Sequence, residues 1–551
     1  MINQQKAALS SHFPWYNVSM NRHIYQEKHT PVSPGMQLLL PLDVEFVLSK
    51  EDPARVIDAF VNELSYEEVY CIHHPPKGNS LFPEILLLKV CLMAATLHHT
   101  SSRKIEELCR YDLRFRWLLQ GHRPPDHTTL WRFKTRFAPK LFLLLRKLSR
   151  TLFEKGFITD EHVFIDGTKM EAAAGRYTFV WKKAVLKYLE KLEMKLPGLL
   201  EEAWEELGEE VSFSLEDPEA VLGDLLEASY AKKEKEGILF VHGKGKRNAE
   251  LQRLVETLED SLEKHRRYKE QIALCGEKRN SYSKTDPDAT FMRMKDDHMR
   301  NGQLKPAYNL QLAVSSEFII GLDVSQERTD YHRLPAMLEE LKELFGYPVK
   351  AVVADAGYDC EENHLYCRKE GTKAYIKPQY YQQKKKRASR KNPKLKSSMI
   401  YDEQKDEYTC LGGQKLVFQK EITQKTKSGL EQKLQIYEAK SCESCPLKPK
   451  CTTSKTNRRI QINRRLDQWR AESEELILSE KGINLRINRS IQAEGAFASI
   501  KNQRGCRRLH HFGMEKVEAE LYWEALGHNF MKWCRKREQN RLKQHLHLPK
   551  N

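Results

Sequence analysis

Two short apolar runs constrain this chain more than any other feature: His162-Val163-Phe164-Ile165 closes on Asp166, and Ala351-Val352-Val353-Ala354 closes on Asp355. Apolar runs of this length read as buried strands, and a sheet that buries them must be covered by helices. Between the two, Tyr308-Asn309-Leu310-Gln311-Leu312-Ala313-Val314 alternates in polarity, Ser315-Ser316-Glu317 turns, and residues 318–324 return as a second strand. A helix over 332–345, apolar at Leu334, Met337, Leu338, Leu341 and Leu344, leads into the second run. The order strand, hairpin, helix, strand predicts an α/β fold, each apolar strand ending in an acid.

The flanking segments differ in character. Residues 83–97 read as a buried helix, Ser101-Ser102 as the cap of a helix through Ile105 and Leu108, and Asp126 as the start of another through Leu130, Phe133 and Phe137. On that third helix Arg132 and Arg136 lie one turn apart on one face and Lys134 on another side, a pattern suited to a small helical DNA-binding module, the alternative being a packing domain with solvated basic residues. A further helix over 139–155 stops at Gly156. Residues 180–274 are rich in Leu, Glu and Lys, with helical spacing at Leu251, Leu254, Leu258 and Leu262, and read as a helical insertion. Residues 384–396 read as a basic loop, followed by a strand-like stretch with cysteines up to about 464. Residues 484–502 are helical, and the basic tail over 532–550 is expected to fray.

The expected domains are a helical N-terminal domain (1–157), the first part of an α/β core (158–376, with a helical insertion at about 178–300), a β-rich cysteine-containing insertion (377–475), the last part of the core (476–535) and a basic tail (536–551). A chain of 551 residues needs several such units.

Lys and Arg number 92 against 76 Asp and Glu, a net charge of +16, which favours a polyanion. No apolar stretch approaches the ~20 residues of a membrane span, and residues 1–20 lack the apolar centre of a signal peptide. The 12 cysteines are scattered, as in a reducing compartment, so the expected location is the cytoplasm, with no membrane partner.

Cutting and joining a phosphodiester needs an activated oxygen, a stabilised leaving oxygen and charge neutralisation at phosphorus, which two Mg²⁺ (or Mn²⁺) ions held by carboxylates supply. Acids ending adjacent strands, with a third on a helix packed across them, would meet at one sheet edge; here these are Asp166, Asp355 and Glu494. Ile491, Glu494, Ala498 and Lys501 share one side of the last helix, so Lys501 can reach a phosphate beside the metals.

The motifs around these residues are Asp166-Gly167-Thr168-Lys169, Ala354-Asp355-Ala356-Gly357-Tyr358-Asp359, and Arg489-Ser490-Ile491-Gln492-Ala493-Glu494-Gly495-Ala496-Phe497 continuing to Lys501 and Arg507-Arg508. With Phe82-Pro83-Glu84-Ile85, Pro125-Asp126-His127-Thr128-Thr129-Leu130-Trp131-Arg132-Phe133 and Lys305-Pro306-Ala307-Tyr308-Asn309, the chain resembles the DDE transposases of bacterial insertion sequences. Within the insertion-sequence-five-like and -four-like transposases, it is similar to the group named after insertion sequence eleven-eighty-two. The resemblance implies an RNase H-like core, a DNA-binding N-terminal domain, Mg²⁺-dependent cleavage by water, and attack of the freed 3′-hydroxyl on target DNA. The implied partner is double-stranded DNA, as terminal inverted repeats and as target, and synapsis of two ends favours a homodimer. Related transposases often carry an arginine four residues before the glutamate; Ser490 stands there, so the phosphate-binding role falls to Arg489. Two alternatives share these residues: a metal-dependent nuclease that only hydrolyses, and an inactive DNA-binding repressor.

Asp330 reads as the cap of the helix beginning near His332, and Asp359 and Glu361 as structural acids that can cap the helix after the second catalytic strand. Cys442 and Cys445, Cys451 six residues further on, and Cys410 upstream beside Gly412-Gly413, have spacing compatible with a four-thiolate Zn²⁺ site, the alternative being reduced cysteines in a small β-rich insertion.

Overall fold

The apolar runs and the hairpin come together in one sheet. In the computed structural model, residues 48–65, 82–208, 217–243, 249–277, 279–294, 302–426 and 428–548 are described. The chain forms two compact units, one of residues Met1–Leu148 with Trp523–Lys543, the other of Ser149–Tyr522 with Gln544–Asn551. The first therefore takes in residues 523–543, most of which the sequence assigns to the catalytic core.

The first unit is helical: α1 (Pro53–Asn62), α2 (Glu84–Thr96), α3 (Ser102–Tyr111), α4 (Leu113–Leu118) and α5 (His127–Phe137), with the unit boundary inside α6 (Leu141–Glu154). Helix α2 is buried on nearly every side, and its Lys89 is buried against Asp58 at 2.6 Å, a paired charge in an apolar helix. Asp126 caps α5 by accepting from Thr129 N at 2.7 Å, as its sequence predicts. Ser101 occupies the cap position of α3, but its hydroxyl makes no capping hydrogen bond.

In the second unit β1 (Val163–Glu171) opens a mixed sheet. The strand does not end at Asp166: it continues as the antiparallel partner of a later strand, a pairing its local sequence does not reveal. The helical insertion leaves on β2 (Phe179–Trp181), continues through α7 (Lys182–Glu193), α8 (Leu196–Leu207), α9 (Pro218–Glu236) and α10 (Glu250–Cys275), and returns on β3 (Ser281–Ser283), which pairs with β2. Leu254 and Leu258 of α10 pack with Leu200, Leu222 and Leu225. The insertion closes at this two-stranded stem, because β4 (Thr290–Arg293) already pairs with β5 (Leu304–Ser315) of the main sheet.

Strand β6 (Phe318–Ser325) completes the hairpin through Ser316 and Glu317, both at positive φ (54° and 73°), which matches the twist of a tight two-residue turn. After α11 (Leu334–Phe345), strand β7 (Ala351–Ala354) lies parallel to β1, and after α12 (Glu361–Lys369), β8 (Lys373–Ile376) lies parallel to β7. The order is β4-β5-β1-β7-β8, with β6 on β5. The hairpin side is thus antiparallel and the β7 side parallel.

The expected basic loop holds two short helices, Tyr381–Lys385 and Arg387–Arg390. A separate antiparallel ribbon of β9 (Ile400–Asp402), β10 (Glu407–Thr409), β11 (Lys415–Lys425), β12 (Glu431–Ala439) and β13 (Arg459–Ile462) follows. Then come α13 (Arg464–Leu478) and α14 (Glu480–Arg489), and the helix over 484–502 continues through two wide π-turns, Ser490–Glu494 and Ser499–Gln503, around Gly495–Ala498.

The final helix, α15 (Met514–Glu538), extends well into the basic tail, and the tail beyond it is tied down rather than frayed. Gln492 donates to His545 O and Asn488 to His547 O, both at 2.9 Å, while His545 Nδ1 lies 2.9 Å from Ser316 Oγ. The tail thereby braces the hairpin turn against the helix carrying Glu494. No helix among the described residues is long and apolar enough to cross a membrane.

Candidate catalytic site

Ile165 pairs with Ala354, so the next residues, Asp166 and Asp355, stand side by side where β1 and β7 part. One oxygen of each is held by a following glycine amide: Gly167 N donates to Asp166 at 2.9 Å and Gly357 N to Asp355 at 2.8 Å. Both glycines are required by close approach. A Cβ on Gly167 would stand 2.4 Å from Gln311 Nε2 and 2.8 Å from Asp330 Oδ1, and one on Gly357 2.9 Å from Asp355 Oδ1.

Asp330 therefore belongs to this cluster and does not cap a helix. It follows the hairpin's second strand, and Asn309 and Gln311 of β5 each donate to its Oδ1 at 2.7 Å. The cap residue of α11 is Arg333, with no side-chain capping bond. Tyr358 donates to Gln311 Oε1. Burial, reinforced by the negative charges of Asp330, Asp166 and Asp355, raises the Tyr358 pKa well above the phenol's ordinary value, so it remains a donor beneath the acids. The sequence carried little sign of this network beyond the alternation that aims Asn309 and Gln311 to one face.

Glu494 closes the first π-turn. Such a turn brings residues five apart over one another, and Arg489 uses it: its guanidinium lies 2.9 Å from Asp166 Oδ2 and 3.6 Å from Glu494 Oε1. Ser490 donates to Glu494 Oε1 at 2.9 Å. Ile491, Glu494 and Ala498 are exposed on one side of the helix, the face expected from their spacing. Lys501 reaches back to β1, donating to Thr168 Oγ1 at 2.7 Å and to Lys169 O at 3.2 Å.

Asp359 is fully buried and pairs with Arg470 at 2.8 Å and His364 at 3.2 Å. Burial alone would raise its pKa, but His364 and Arg470 outweigh burial and hold it below the usual carboxylate range. Neither Asp359 nor Glu361 caps α12, whose cap position is Cys360. Glu361 instead receives Arg465 and Asn463 at 2.5 Å.

In the helical unit Arg132 is exposed beside Trp131, which is 57% exposed. Lys134 donates to Thr100 O at 3.1 Å, and Arg136 is ion-paired with Glu84, so both serve contacts within the unit. Cys410, Cys442, Cys445 and Cys451 line one cavity at the end of the ribbon.

The site thus combines a mixed α/β sheet, aspartates side by side where adjacent strands part, and a glutamate joined to one of them through an arginine on the same helix as the glutamate. Residues 409–534 match the family model described as Transposase DDE domain, and residues 43–136 match Transposase domain (DUF772). Both matches are to transposase domains and indicate a DDE transposase of the insertion-sequence type. No curated protein and no solved structure matches it.

Proposed function

We propose that this transposase binds the terminal inverted repeats of its insertion sequence and carries out divalent-metal-dependent DNA cleavage and strand transfer on an RNase H-like core. The observation that carries the reading is the Ile165–Ala354 pairing, which sets Asp166 beside Asp355, with Arg489 linking Asp166 to Glu494. Membership of the eleven-eighty-two group and pairing of two copies on two DNA ends belong to the same proposal.

The donor chemistry fits hard divalent ions, since Asp166, Asp355 and Glu494 offer carboxylate oxygens only. Among the described residues no three such groups already stand as a finished metal-ligand set, and Arg489 pairs with both Asp166 and Glu494. Two bound Mg²⁺ or Mn²⁺ ions would neutralise phosphate charge and lower the pKa of attacking water. The chain's own residues do the rest. The amides of Gly167 and Gly357 fix the two aspartates, and Asp330, held by Asn309 and Gln311, backs both. Arg489 pairs with Asp166 and suits a phosphate there, while Lys501 steadies the strand that carries Asp166. Arg132 with Trp131 is the exposed pair suited to DNA in the helical unit.

The test is a cleavage and strand-transfer assay on a labelled duplex carrying the DNA that flanks the coding region. Asp166→Asn, Asp355→Asn and Glu494→Gln should each lower the Mg²⁺-dependent rate at least ~10³-fold, since each removes charge stabilisation worth several kcal/mol. End binding should persist. Near wild-type joining by any of the three would reject that residue's role, and cleavage without joining would favour the hydrolytic nuclease.

A further inference from the structure

The ribbon β9–β13 has a small core: Tyr408, Leu416, Tyr437, Ala439, Cys442, Ile460 and Ile462. Most of β11 is exposed, so apolar burial alone supports a five-stranded sheet weakly, the situation in which small folds use a staple. At one end of this sheet two turns face each other. Cys410 begins a tight turn at the end of β10, with Gly413 N donating to Cys410 O at 2.9 Å and Cys410 N to Gln414 O at 3.0 Å. Cys442 begins the other, after β12, with Cys445 N donating to Cys442 O at 3.4 Å and Lys448 N to Cys445 O at 3.0 Å. Cys451 ends the short helix that follows.

The turns meet at Gly412, where a Cβ would stand 2.9 Å from Cys445 Sγ and 3.7 Å from Cys410 Sγ. All four cysteines are free thiols around a single cavity of about 20 Å³, room for about one water-sized occupant. We propose that Cys410, Cys442, Cys445 and Cys451 form a four-thiolate zinc site that clamps the two turns of the ribbon together, separate from the carboxylates of the catalytic site. The sulfurs do not yet stand as a finished ligand set. Cys451 Sγ donates to Pro393 O and Cys442 Sγ accepts from Arg458 N, both at 3.4 Å, so closing the set requires the Cys451 thiol to leave its carbonyl. Zinc binding releases the thiol protons, and the resulting doubly negative complex would be balanced by Lys448 and Arg458, which line the same cavity.

The test uses full-length protein purified under reducing conditions from zinc-replete medium, with metal content and cobalt-substitution spectra as readouts, neither of which depends on DNA chemistry. One zinc per chain is expected, with a thiolate-to-cobalt charge-transfer band after exchange. Both should be lost in Cys442→Ser/Cys445→Ser and kept in Cys91→Ser and in Asp166→Asn. Loss of metal should also make residues 400–462 preferentially sensitive to limited proteolysis. Metal-free wild-type protein that takes up no zinc on titration, or zinc retained by the double variant, would overturn the proposal. Either result would leave the reading of the carboxylates untouched.

Discussion

Arg489 Nη1 lies 2.9 Å from Asp166 Oδ2, across 323 residues of chain, so the guanidinium occupies one of the oxygens that the proposed metal chemistry needs. The same group is 3.6 Å from Glu494, which makes it the electrostatic link between the first acid and the third. Metal binding must draw Asp166 away from it.

Arg489→Ala should therefore raise the Mg²⁺-induced gain in melting temperature above that of the wild type, because an unneutralised acid pair gains more from a cation. DNA cleavage should nevertheless fall, since the same arginine is the proposed partner for a phosphate. Scanning fluorimetry with and without Mg²⁺ measures the first effect, and an unchanged or smaller gain would count against competition between Arg489 and the metal.

Asp330 is a positioning residue in this arrangement, and its signature is a changed metal requirement. Asp330→Asn should raise the Mg²⁺ concentration for half-maximal cleavage and lower the rate about 10- to 100-fold, some 1.4–2.7 kcal/mol. Gly167→Ala should be more severe, because the added methyl meets Gln311 and Asp330 inside hydrogen-bonding distance. A variant at Asp330 with an unaltered Mg²⁺ titration would remove it from the site.

The stability of the second unit should fall in mild acid. Burial, then the charges of His545 and Lys481, push His162 down to about 4 from its ordinary 6.5. Between those values the unfolded chain takes a proton that the folded chain refuses, so stability is full above about pH 6.5 and lost as pH falls towards 4. The total is on the order of 3 kcal/mol at ~1.4 kcal/mol per unit. Asp359, held low despite its burial, adds a loss at still lower pH as its pairs with Arg470 and His364 break. His162→Gln should flatten the upper part of a pH–melting curve, and an unchanged slope would remove His162 as its source.

In the helical unit Arg132 and Arg136 of α5 should behave differently. Arg132→Ala should weaken DNA binding and lower the slope of log affinity against log salt by about one phosphate contact. Arg136→Ala should mainly destabilise the unit, since Glu84, 10% exposed at its side chain, loses this ion pair. Equal effects of the two on the salt slope would refute this division.

The sequence by itself determined the strands and the acids that follow them. Apolar runs and period-two alternation are local, and they set out β1, β5, β6 and β7 together with the motifs that carry Asp166 and Asp355. The cysteine spacing around Cys442 was equally local. Only tertiary structure decided what depends on pairing between distant segments. That β1 runs on past Asp166 follows from its register with β5, because a partner strand, not local hydrophobicity, supplies hydrogen bonds to Gly167–Glu171. Asp330 looked like a helix cap because capping is the commonest local use of such an aspartate, yet Asn309 and Gln311 claim its carboxylate from about twenty residues away. The π-turn that lets Arg489 reach Glu494 looks, at the level of residue spacing, like ordinary helix. The basic tail reads as frayed because its charge predicts solvation, and its described residues are tied down because His545 and His547 meet polar groups of Gln492, Asn488 and the hairpin turn.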